Sequence, residues 1–492
     1  MSSSNNLKES PLLLPNLIMS YNLLKNTSLY SIGTILPKAA SFILLPIYTS
    51  FLSVDEYGII SAMIVFNAFL TILITLNIER SIFRLYYDYE TAAQKKEYIG
   101  TVFISILCFS TIMIGVMFLT RDYISLIYKS IDFYPYFLIS IFTVYVGIYG
   151  SMLRVLLQVI QKVKLFVMLG IVQFIISSLL ILLFVVYFKE GAYGYLKGVL
   201  FGNLIMVPIF LKLLLPHINF KFNRVIIINT LKYSLPIVPA VLAGQIIDLS
   251  DRIFIENYFS SLDLGLYSLG YTIAGVVLVV TGAFKKAYDP FFYKIANSKT
   301  KAVSLKILTN TNEAYYIITI FICFSITLVS KEMIYWFFPK SYFIAYKIVP
   351  VISLAYAVSK ISGLINLSFY QEKKTLKLME LSIYAAILNV ALNFILIPLY
   401  GYYGAAIATL ITFLFMLIIK YYLSKKYYFL PINWILLVSV IFFMIFIYLF
   451  FNHFVNLPLA FSFTLKIFTL FILLVAIYLL KKEQFKEIFN YE

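Results

Sequence analysis

Apolar stretches long enough to cross a lipid bilayer recur along this chain from Ser28 to Leu480, and they limit its fold more than any other feature. A membrane-spanning α-helix needs roughly 20 consecutive apolar residues to cross about 30 Å of hydrocarbon. Runs such as 179–186 and 438–451 are apolar on every side, whereas the strands of a membrane β-barrel alternate apolar and polar residues. The pattern predicts an all-α integral membrane protein.

Composition leaves little room for anything besides these helices. The chain of 492 residues is 62% hydrophobic and 12% charged, whereas soluble domains carry about 25% charged residues. The segments between the apolar windows are short, so we expect no sizeable soluble domain. Counting the windows predicts about 14 transmembrane helices, at 28–50, 57–78, 99–119, 133–158, 165–188, 192–215, 233–256, 264–284, 310–330, 342–369, 378–398, 402–420, 431–451 and 459–480.

Basic residues outnumber acidic residues by 39 to 22, which gives a net charge of +17. In a soluble protein such an excess would suggest a nucleic-acid partner. In a membrane protein, however, lysine and arginine concentrate in the loops that face the cytoplasm. Most of them here fall in alternate loops and near the chain ends. We therefore expect both termini to be cytoplasmic and no nucleic acid to be bound.

Segments of similar sequence recur at a nearly constant offset. Leu119–Ile124 lies 210 positions before Val329–Ile334, with matching apolar, hydroxyl, basic and acidic residues. A looser match pairs 51–58 with 258–265 at an offset of 207. Both pairs lie between spans, and their similar offsets indicate an internal duplication.

The offset equals six spans, an even number, so the two copies enter the membrane with the same orientation. Parallel repeats of this kind are typical of transporters that open alternately to either side. The predicted order is a cytoplasmic N-terminal segment, a six-helix half, a cytoplasmic linker, a second like-oriented six-helix half, two extra transmembrane helices and a cytoplasmic tail. These regions are 1–27, 28–215, 216–232, 233–420, 431–480 and 481–492.

Each half begins with a span that contains two prolines, Pro37 and Pro46 in the first and Pro236 and Pro239 in the second. Proline inside a membrane helix removes a backbone hydrogen bond and bends the helix. We expect these first helices to be the bending elements of each half. The alternative is a static kink that only improves packing.

The basic residues within spans include four candidates for a cavity, two in each half: Lys38, Arg154, Arg252 and Lys360. A charge near the bilayer centre costs at least about 2.5 kcal/mol, so it normally faces a partner or a water-filled cavity. Lys38 and Lys360 are deep, whereas Arg154 lies nearer a membrane surface, where its side chain could instead reach water. If the four spans face each other, they form a cationic substrate-binding cavity suited to phosphate oxygens.

The span with Arg252 also carries Asp248 and Asp251, which are candidates for an ion pair or for coupling to an ion. Asp248 and Arg252 are four residues apart and can pair on one helical face, while Asp251 is expected to point elsewhere. Arg252 is then either an anion ligand held by Asp248 or half of a structural ion pair. Lys197 and Lys466 lie close enough to the outer surface for their side chains to reach it.

Residues for metal binding or catalysis are sparse. His217 and His453 are predicted on opposite sides of the membrane, and Cys108 and Cys323 fall in apolar windows, where free thiols are expected. The Asp55-Glu56 pair is expected to cap a short loop. We expect no metal, no cofactor and no catalytic residue, so the chain is not predicted to be an enzyme.

The segment Leu45–Gly58, followed by a span and then Glu79–Arg84, resembles Wzx-type polysaccharide flippases, and Ile397–Ala406 resembles a second segment of that family. These belong to the multidrug/oligosaccharidyl-lipid/polysaccharide exporter superfamily, with its MATE-like halves. The resemblance implies movement of an undecaprenyl-diphosphate-linked oligosaccharide repeat unit from the inner to the outer leaflet of the bacterial cytoplasmic membrane. It also implies alternating access, coupling to H⁺ or Na⁺, and a product that feeds O-antigen or capsule.

By the same resemblance, the partners are the lipid-linked glycan, the phospholipid bilayer and other polysaccharide assembly proteins, and the transport unit is a monomer. Two other functions stay open. A drug/cation antiporter of the same fold should carry acidic residues in its cavity, and a polysaccharide polymerase or acyltransferase should carry a catalytic loop or a His/Asp centre.

Overall fold

The computed structural model describes residues 33, 35–298, 300–454 and 458–489, and within these ranges the chain is α-helical with short 3₁₀ and π segments and no strand. The first helix is α1, Ile35–Phe51. The others are α2 Val54–Thr75, α3 Ile82–Leu85, α4 Ala92–Leu119, α5 Arg121–Ile124, α6 Leu138–Val159, α7 Val163–Leu182, α8 Gly191–Leu214, α9 Arg224–Ser234, α10 Val238–Tyr258, α11 Ser261–Ala274, α12 Val276–Ser298, α13 Lys301–Phe337, α14 Val349–Gln371, α15 Thr375–Tyr400, α16 Tyr402–Ser424, α17 Trp434–Phe454 and α18 Leu459–Phe489.

Thirteen helical segments in the described ranges are long and apolar enough to cross a membrane, and α1 is a shorter apolar helix that brings the number to the predicted 14. The all-α integral membrane fold is therefore confirmed. The predicted N-terminal segment 1–27 lies outside the described residues.

Two helices continue past the predicted ends of their spans. α12 runs to Ser298 although its span was predicted to end at 284, and α18 runs to Phe489, into the predicted tail. The Nζ of Lys285 lies 2.7 Å from a carboxylate oxygen of Asp289, one helical turn further on. The predicted spans ended where charged residues begin in the sequence. Ion pairs one helical turn apart, however, stabilise a helix rather than end it.

Helices α2 and α11 each begin after a serine whose hydroxyl caps the first turn. Ser53 precedes α2, its hydroxyl accepts the Glu56 backbone N–H at 3.1 Å, and its own N–H donates to the Glu56 carboxylate at 2.8 Å. Ser260 precedes α11 and accepts the Asp263 N–H at 3.2 Å. These side chains satisfy backbone groups that a helix start leaves unpaired. Asp55-Glu56 was predicted to cap a short loop; the pair lies instead in the first turn of α2, where Glu56 takes part in the helix cap.

Helices α2 and α11 cross in direct backbone contact. A Cβ atom on Gly58 would lie 1.8 Å from the carbonyl oxygen of Ser261, and one on Gly265 would lie 2.0 Å from that of Val54. One turn further along, the hydroxyls of Ser61 and Ser268 are 2.6 Å apart. Glycine is therefore required at both crossing positions. We call the end of the molecule where α1 ends and α2 and α11 begin the closed end.

Further hydrogen bonds join the two halves at the closed end. The carboxylate of Glu256 accepts the backbone N–H groups of Lys129 and Ser130 at 2.9 and 2.7 Å. The Asn257 side-chain amide donates to the Ile127 carbonyl at 2.6 Å. The Tyr342 hydroxyl donates to the Ser53 carbonyl at 2.9 Å. The halves are thus held together here by buried polar contacts as well as by packing.

The four prolines occupy two kinds of position. Pro46 lies inside α1 and Pro37 in its first turn, whereas Pro236 lies in the 3₁₀ turn Leu235–Ile237 and Pro239 in the first turn of α10. Proline is tolerated at the start of a helix because the N–H that it lacks has no partner there. The bending role of these helices stays a prediction.

The C-terminal helix α18 is attached to α13 by ion pairs. The Lys466 Nζ lies 2.7 Å from a Glu332 carboxylate oxygen, which also accepts the Ser462 hydroxyl at 2.9 Å. The Lys481 Nζ lies 3.4 Å from Glu313. Lys466 was predicted to reach the membrane surface, and this was wrong. Hydropathy showed a lone charge on one span and could not reveal its acidic partner on another.

Candidate functional site

A cavity of about 760 Å³ lies between the halves. Its wall is formed by α1, α2, α7 and α8 on one side and by α11 and α12 on the other. Lys38 is its only formally charged residue among the described residues that line it. The polar residues include Tyr48, Tyr57, Ser178, Tyr195 and Thr272.

Lys38 belongs to a group of basic residues from both halves. It lies within electrostatic range of Lys360 on α14 and of Lys286 on α12, and Lys285 is within the same range of Lys360. We call these four residues the lysine group. Within the described part of the chain, neither Lys38 nor Lys360 has a carboxylate oxygen within 4 Å of its ammonium nitrogen. The structure thus brings the predicted Lys38 and Lys360 together.

Two members of the lysine group were not predicted as site residues. Lys285 and Lys286 were placed in a cytoplasmic loop, but the extended α12 carries them to the cavity region. The signal that could have found them is the i, i+4 spacing of Lys285 and Asp289, which favours a continuing helix. Asp248 on α10 also lies within electrostatic range of Lys360 and brings one acidic group to the cluster.

Arg252 is paired differently from the prediction. Its Nη1 lies 3.2 Å from a carboxylate oxygen of Asp251, and the same nitrogen donates to the backbone carbonyl of Asp248 at 3.0 Å. The other Asp251 oxygen accepts the Tyr267 hydroxyl, and the guanidinium carbon stands 4.1 Å from the Tyr271 ring centroid. The predicted pairing of Arg252 with the Asp248 side chain was wrong, and so was the expectation that Asp251 points elsewhere.

The physical reason lies in the length of the arginine side chain. Adjacent residues do not face each other on a helix, but the Arg252 side chain folds back over its own helix so that one nitrogen reaches both Asp251 and the carbonyl one turn earlier. Asp251 and Arg252 are nearly fully buried. A buried guanidinium with a carboxylate and a ring on its faces is neutralised by the protein.

Arg154 is held inside the first half. Its Nη1 donates to the Gln173 side-chain oxygen on α7 at 2.8 Å, and the Gln173 amide donates to Asn203 on α8 at 2.8 Å. The predicted arrangement, in which Arg154 faces the other three cations, therefore requires correction. The helix face of α6 that carries Arg154 packs on its own bundle, where neutral amides serve as partners.

Lys197 has a structural environment. Its Nζ lies 2.9 Å from a Glu190 oxygen and 4.4 Å from the centroid of the Phe184 ring. Cys108 and Cys323 are free thiols. Among the described residues, no three His, Cys, Asp or Glu side chains gather closely enough to hold a metal ion.

The two helical halves and the cavity between them define a two-lobed membrane protein. The profile of the family described as "Polysaccharide biosynthesis protein" matches residues 23–296, more than half of the chain. The chain belongs to this family. It is 26% identical over 386 residues to a protein of the Lsg locus of Haemophilus influenzae, covering 75% of this chain and 89% of that protein.

Solved structures with the same fold are transporters. Lipid II flippase MurJ in an inward closed conformation superimposes with a TM-score of 0.69 at 16% identity, covering 92% of this chain and 98% of that one. The MATE transporter VcmN of Vibrio cholerae has a TM-score of 0.54 at 13% identity, covering 82% and 95%. The predicted fold class and the resemblance to a polysaccharide family are confirmed, and the fold is one that solved transporters share.

Proposed function

We propose that this protein moves an undecaprenyl-diphosphate-linked oligosaccharide repeat unit from the inner to the outer leaflet of the bacterial cytoplasmic membrane, for surface polysaccharide such as O-antigen or capsule. The observation that carries this proposal is the lysine group beside the interlobe cavity of a membrane protein of the polysaccharide biosynthesis family. Among the described residues, Lys38 and Lys360 have no carboxylate within 4 Å, and a cation inside a membrane protein is stabilised by an anionic partner.

In this proposal the diphosphate binds at Lys38 and Lys360. An ammonium in a site of low dielectric forms short, charge-assisted hydrogen bonds to phosphate oxygens. Because Lys285 is already paired with Asp289, it adds positive electrostatic potential near the site but does not bind the phosphate directly. Asp248 lies within electrostatic range of Lys360. If substrate phosphate takes the place of the Asp248 carboxylate beside Lys360, that carboxylate can take up H⁺ or Na⁺, and this would link transport to either ion.

Alternating access follows from the arrangement of the halves. With both termini cytoplasmic, the closed end faces outward, since α1 leads from the N-terminal side to that end. The end that is closed in the described state is then the outer end. Opening outward requires the α2–α11 crossing and its hydrogen bonds to separate.

Binding of undecaprenyl diphosphate to the purified protein tests the role of the lysine group. We expect Lys38→Gln and Lys360→Gln each to weaken binding by roughly 1.5–3 kcal/mol, the contribution of a hydrogen bond to a charged group. Lys340→Gln is the matched control because Lys340 is exposed in the segment between α13 and α14. If all three variants bind as tightly as the wild type, the diphosphate does not bind at Lys38 and Lys360.

A drug/cation antiporter of the same fold is the competing function. Its cavity should attract cations, whereas the charges gathered here are mainly positive. We expect a cationic dye not to compete with undecaprenyl diphosphate for the purified protein. Competition at the same site would favour the antiporter.

A further inference from the structure

Three tyrosines from three helices meet at the closed end of the cavity. Tyr48 lies in the last turn of α1, Tyr57 in the first turn of α2 and Tyr195 in the first turns of α8, and all three line the cavity. The ring centroids of Tyr48 and Tyr195 are 5.9 Å apart in an edge-to-face arrangement. The rings therefore form one aromatic wall rather than three separate contacts.

The hydroxyl groups of this wall retain hydrogen-bonding capacity. The Tyr57 hydroxyl is 3.4 Å from the Thr272 hydroxyl, a long contact, and the Tyr48 hydroxyl has the Ser178 side chain as one hydrogen-bond partner. Among the described residues the structure gives the Tyr195 hydroxyl no hydrogen-bond partner. A hydroxyl in a low-dielectric cavity is costly to leave unpaired, so it favours a polar ligand there.

The wall lies away from the lysine group, and Arg252, which is within electrostatic range of Tyr57, is paired with Asp251. Tyr48 follows Lys38 by ten residues on one helix, which corresponds to about 15 Å at 1.5 Å per residue. Among the described lining residues, none at the closed end carries a formal charge. Phosphate and acidic groups would gain little at such a place, whereas a sugar ring presents apolar C–H groups to aromatic faces and hydroxyls to phenol and serine oxygens.

We propose that Tyr48, Tyr57 and Tyr195 form a sugar-binding subsite that receives an uncharged pyranose ring of the glycan, while the diphosphate stays at the lysine group. This inference rests on the proposed function and gives the substrate a direction in the cavity. The glycan lies toward the closed end and the lipid diphosphate lies behind it. Sugar and diphosphate are then recognised at two separate places in the cavity.

Binding of two probes to the full-length protein in detergent tests the subsite. The probes are undecaprenyl diphosphate and the lipid-linked oligosaccharide extracted from the cells that make this protein, both followed by native mass spectrometry. Tyr195→Phe removes one hydroxyl, and Tyr57→Leu removes a ring. We expect each variant to bind the sugar-bearing probe roughly threefold to tenfold more weakly, the effect of one lost hydrogen bond or ring contact, and the sugarless probe as tightly as the wild type.

Tyr193→Phe is the matched control. Tyr193 lies two residues before Tyr195 on α8, does not line the cavity, and has its ring 5.4 Å from the Lys197 Nζ. It should bind both probes like the wild type, and Tyr195→Phe, which keeps the ring, should retain the wild-type melting temperature.

The outcomes separate the subsite from the proposed function. If the tyrosine variants bind both probes like the wild type, or lose both equally, the subsite is overturned and the diphosphate site stands. If the wild type binds both probes equally, sugar is not recognised and the subsite is again overturned. If the wild type binds neither probe, the proposed function and the subsite fall together.

Discussion

Cationic residues within the helices of this protein fall into two kinds, those buried against carboxylates and those, such as Lys38, exposed in the cavity. Arg252 and Lys466 are neutralised by carboxylates of the chain, Asp251 and Glu332, at 3.2 and 2.7 Å. Lys38 is not neutralised in this way in the described structure. Paired charges stabilise one conformation, whereas an ammonium in a cavity is available for a ligand. This difference separates structural cations from substrate-binding cations.

Glu79 provides a pH-dependent prediction. It lies just after α2, is buried, and one of its carboxylate oxygens has no hydrogen-bond partner among the described residues. Burial raises the pKa of the Glu79 carboxyl, so the folded state holds the proton more tightly than the unfolded state. The stability that this proton supplies is complete below the unfolded pKa, about 4.3, and is lost as the pH rises through the folded value.

We therefore expect Glu79→Gln to melt at a higher temperature than the wild type at pH 7, with a smaller loss of stability between pH 5 and 7 in thermal unfolding in detergent. Glu90→Gln serves as the control, because Glu90 is an exposed carboxyl between α3 and α4. Parallel melting curves for wild type and Glu79→Gln across this pH range would contradict the buried-carboxyl account.

Contacts between α2 and α11 keep the closed end of the cavity shut. The Cβ of any residue other than glycine at position 58 would overlap the Ser261 carbonyl oxygen at 1.8 Å. Overpacking of this kind costs about 1–3 kcal/mol, and that cost applies only while the α2–α11 crossing is closed. The same energy corresponds to roughly a 5- to 150-fold shift between two conformations.

Gly58→Ala should therefore shift the protein toward a state in which the closed end is open. We expect faster labelling of a cysteine placed at Ser61 by a thiol reagent, in a background without Cys108 and Cys323. Gly244→Ala is the control, since nothing lies within 4 Å of a Cβ there. Unchanged labelling in Gly58→Ala at full folding would show that this crossing does not gate the cavity.

The attachment of α18 to α13 depends on the Lys466–Glu332 pair, whose side chains are 4% and 2% exposed. Breaking a buried pair by removing one partner destabilises a protein by about 3–5 kcal/mol because the other charge stays buried. We expect Glu332→Gln to lower the melting temperature strongly and the Glu332→Gln, Lys466→Met double variant to recover most of the loss. A single variant that melts like the wild type would show that Lys466 reaches water.

Hydropathy predicted the helices well because a bilayer imposes both length and apolar character on each span. It missed the ends of α12 and α18, because charged residues close an apolar window without ending a helix. The pairing of Arg252 with Asp251 was also missed, since it depends on how one long side chain folds over its helix. Sequence patterns specify helices more reliably than they specify side-chain partners.

The two halves share details beyond their helix number. The capping serines Ser53 and Ser260 and the crossing glycines Gly58 and Gly265 are each separated by 207 positions, the offset seen in the sequence. The crossing therefore brings matching residues of the two halves together. Among the cavity residues, Lys38 and Lys360 could be predicted because lone charges inside apolar spans are visible in a sequence. The tyrosine wall could not, because 41 tyrosines are spread along the chain.

The molecule as a whole thus has an interlobe cavity with positive charge toward one end and aromatic hydroxyls toward the closed end. A lipid diphosphate that carries a glycan matches this arrangement, because its phosphates suit the positive end and its sugar suits the aromatic hydroxyls. The account predicts that substrate is bound and moved as one unit, with the sugar leading.

Transbilayer movement of a short-chain lipid-diphosphate oligosaccharide in proteoliposomes tests this account most directly. Arrival at the other leaflet is scored with a membrane-impermeant reagent that modifies sugars. We expect movement that requires the protein, is lost in the Lys38→Gln, Lys360→Gln double variant and persists in Lys340→Gln. Folded wild-type protein that moves no substrate, with or without H⁺ and Na⁺ gradients, would contradict the account.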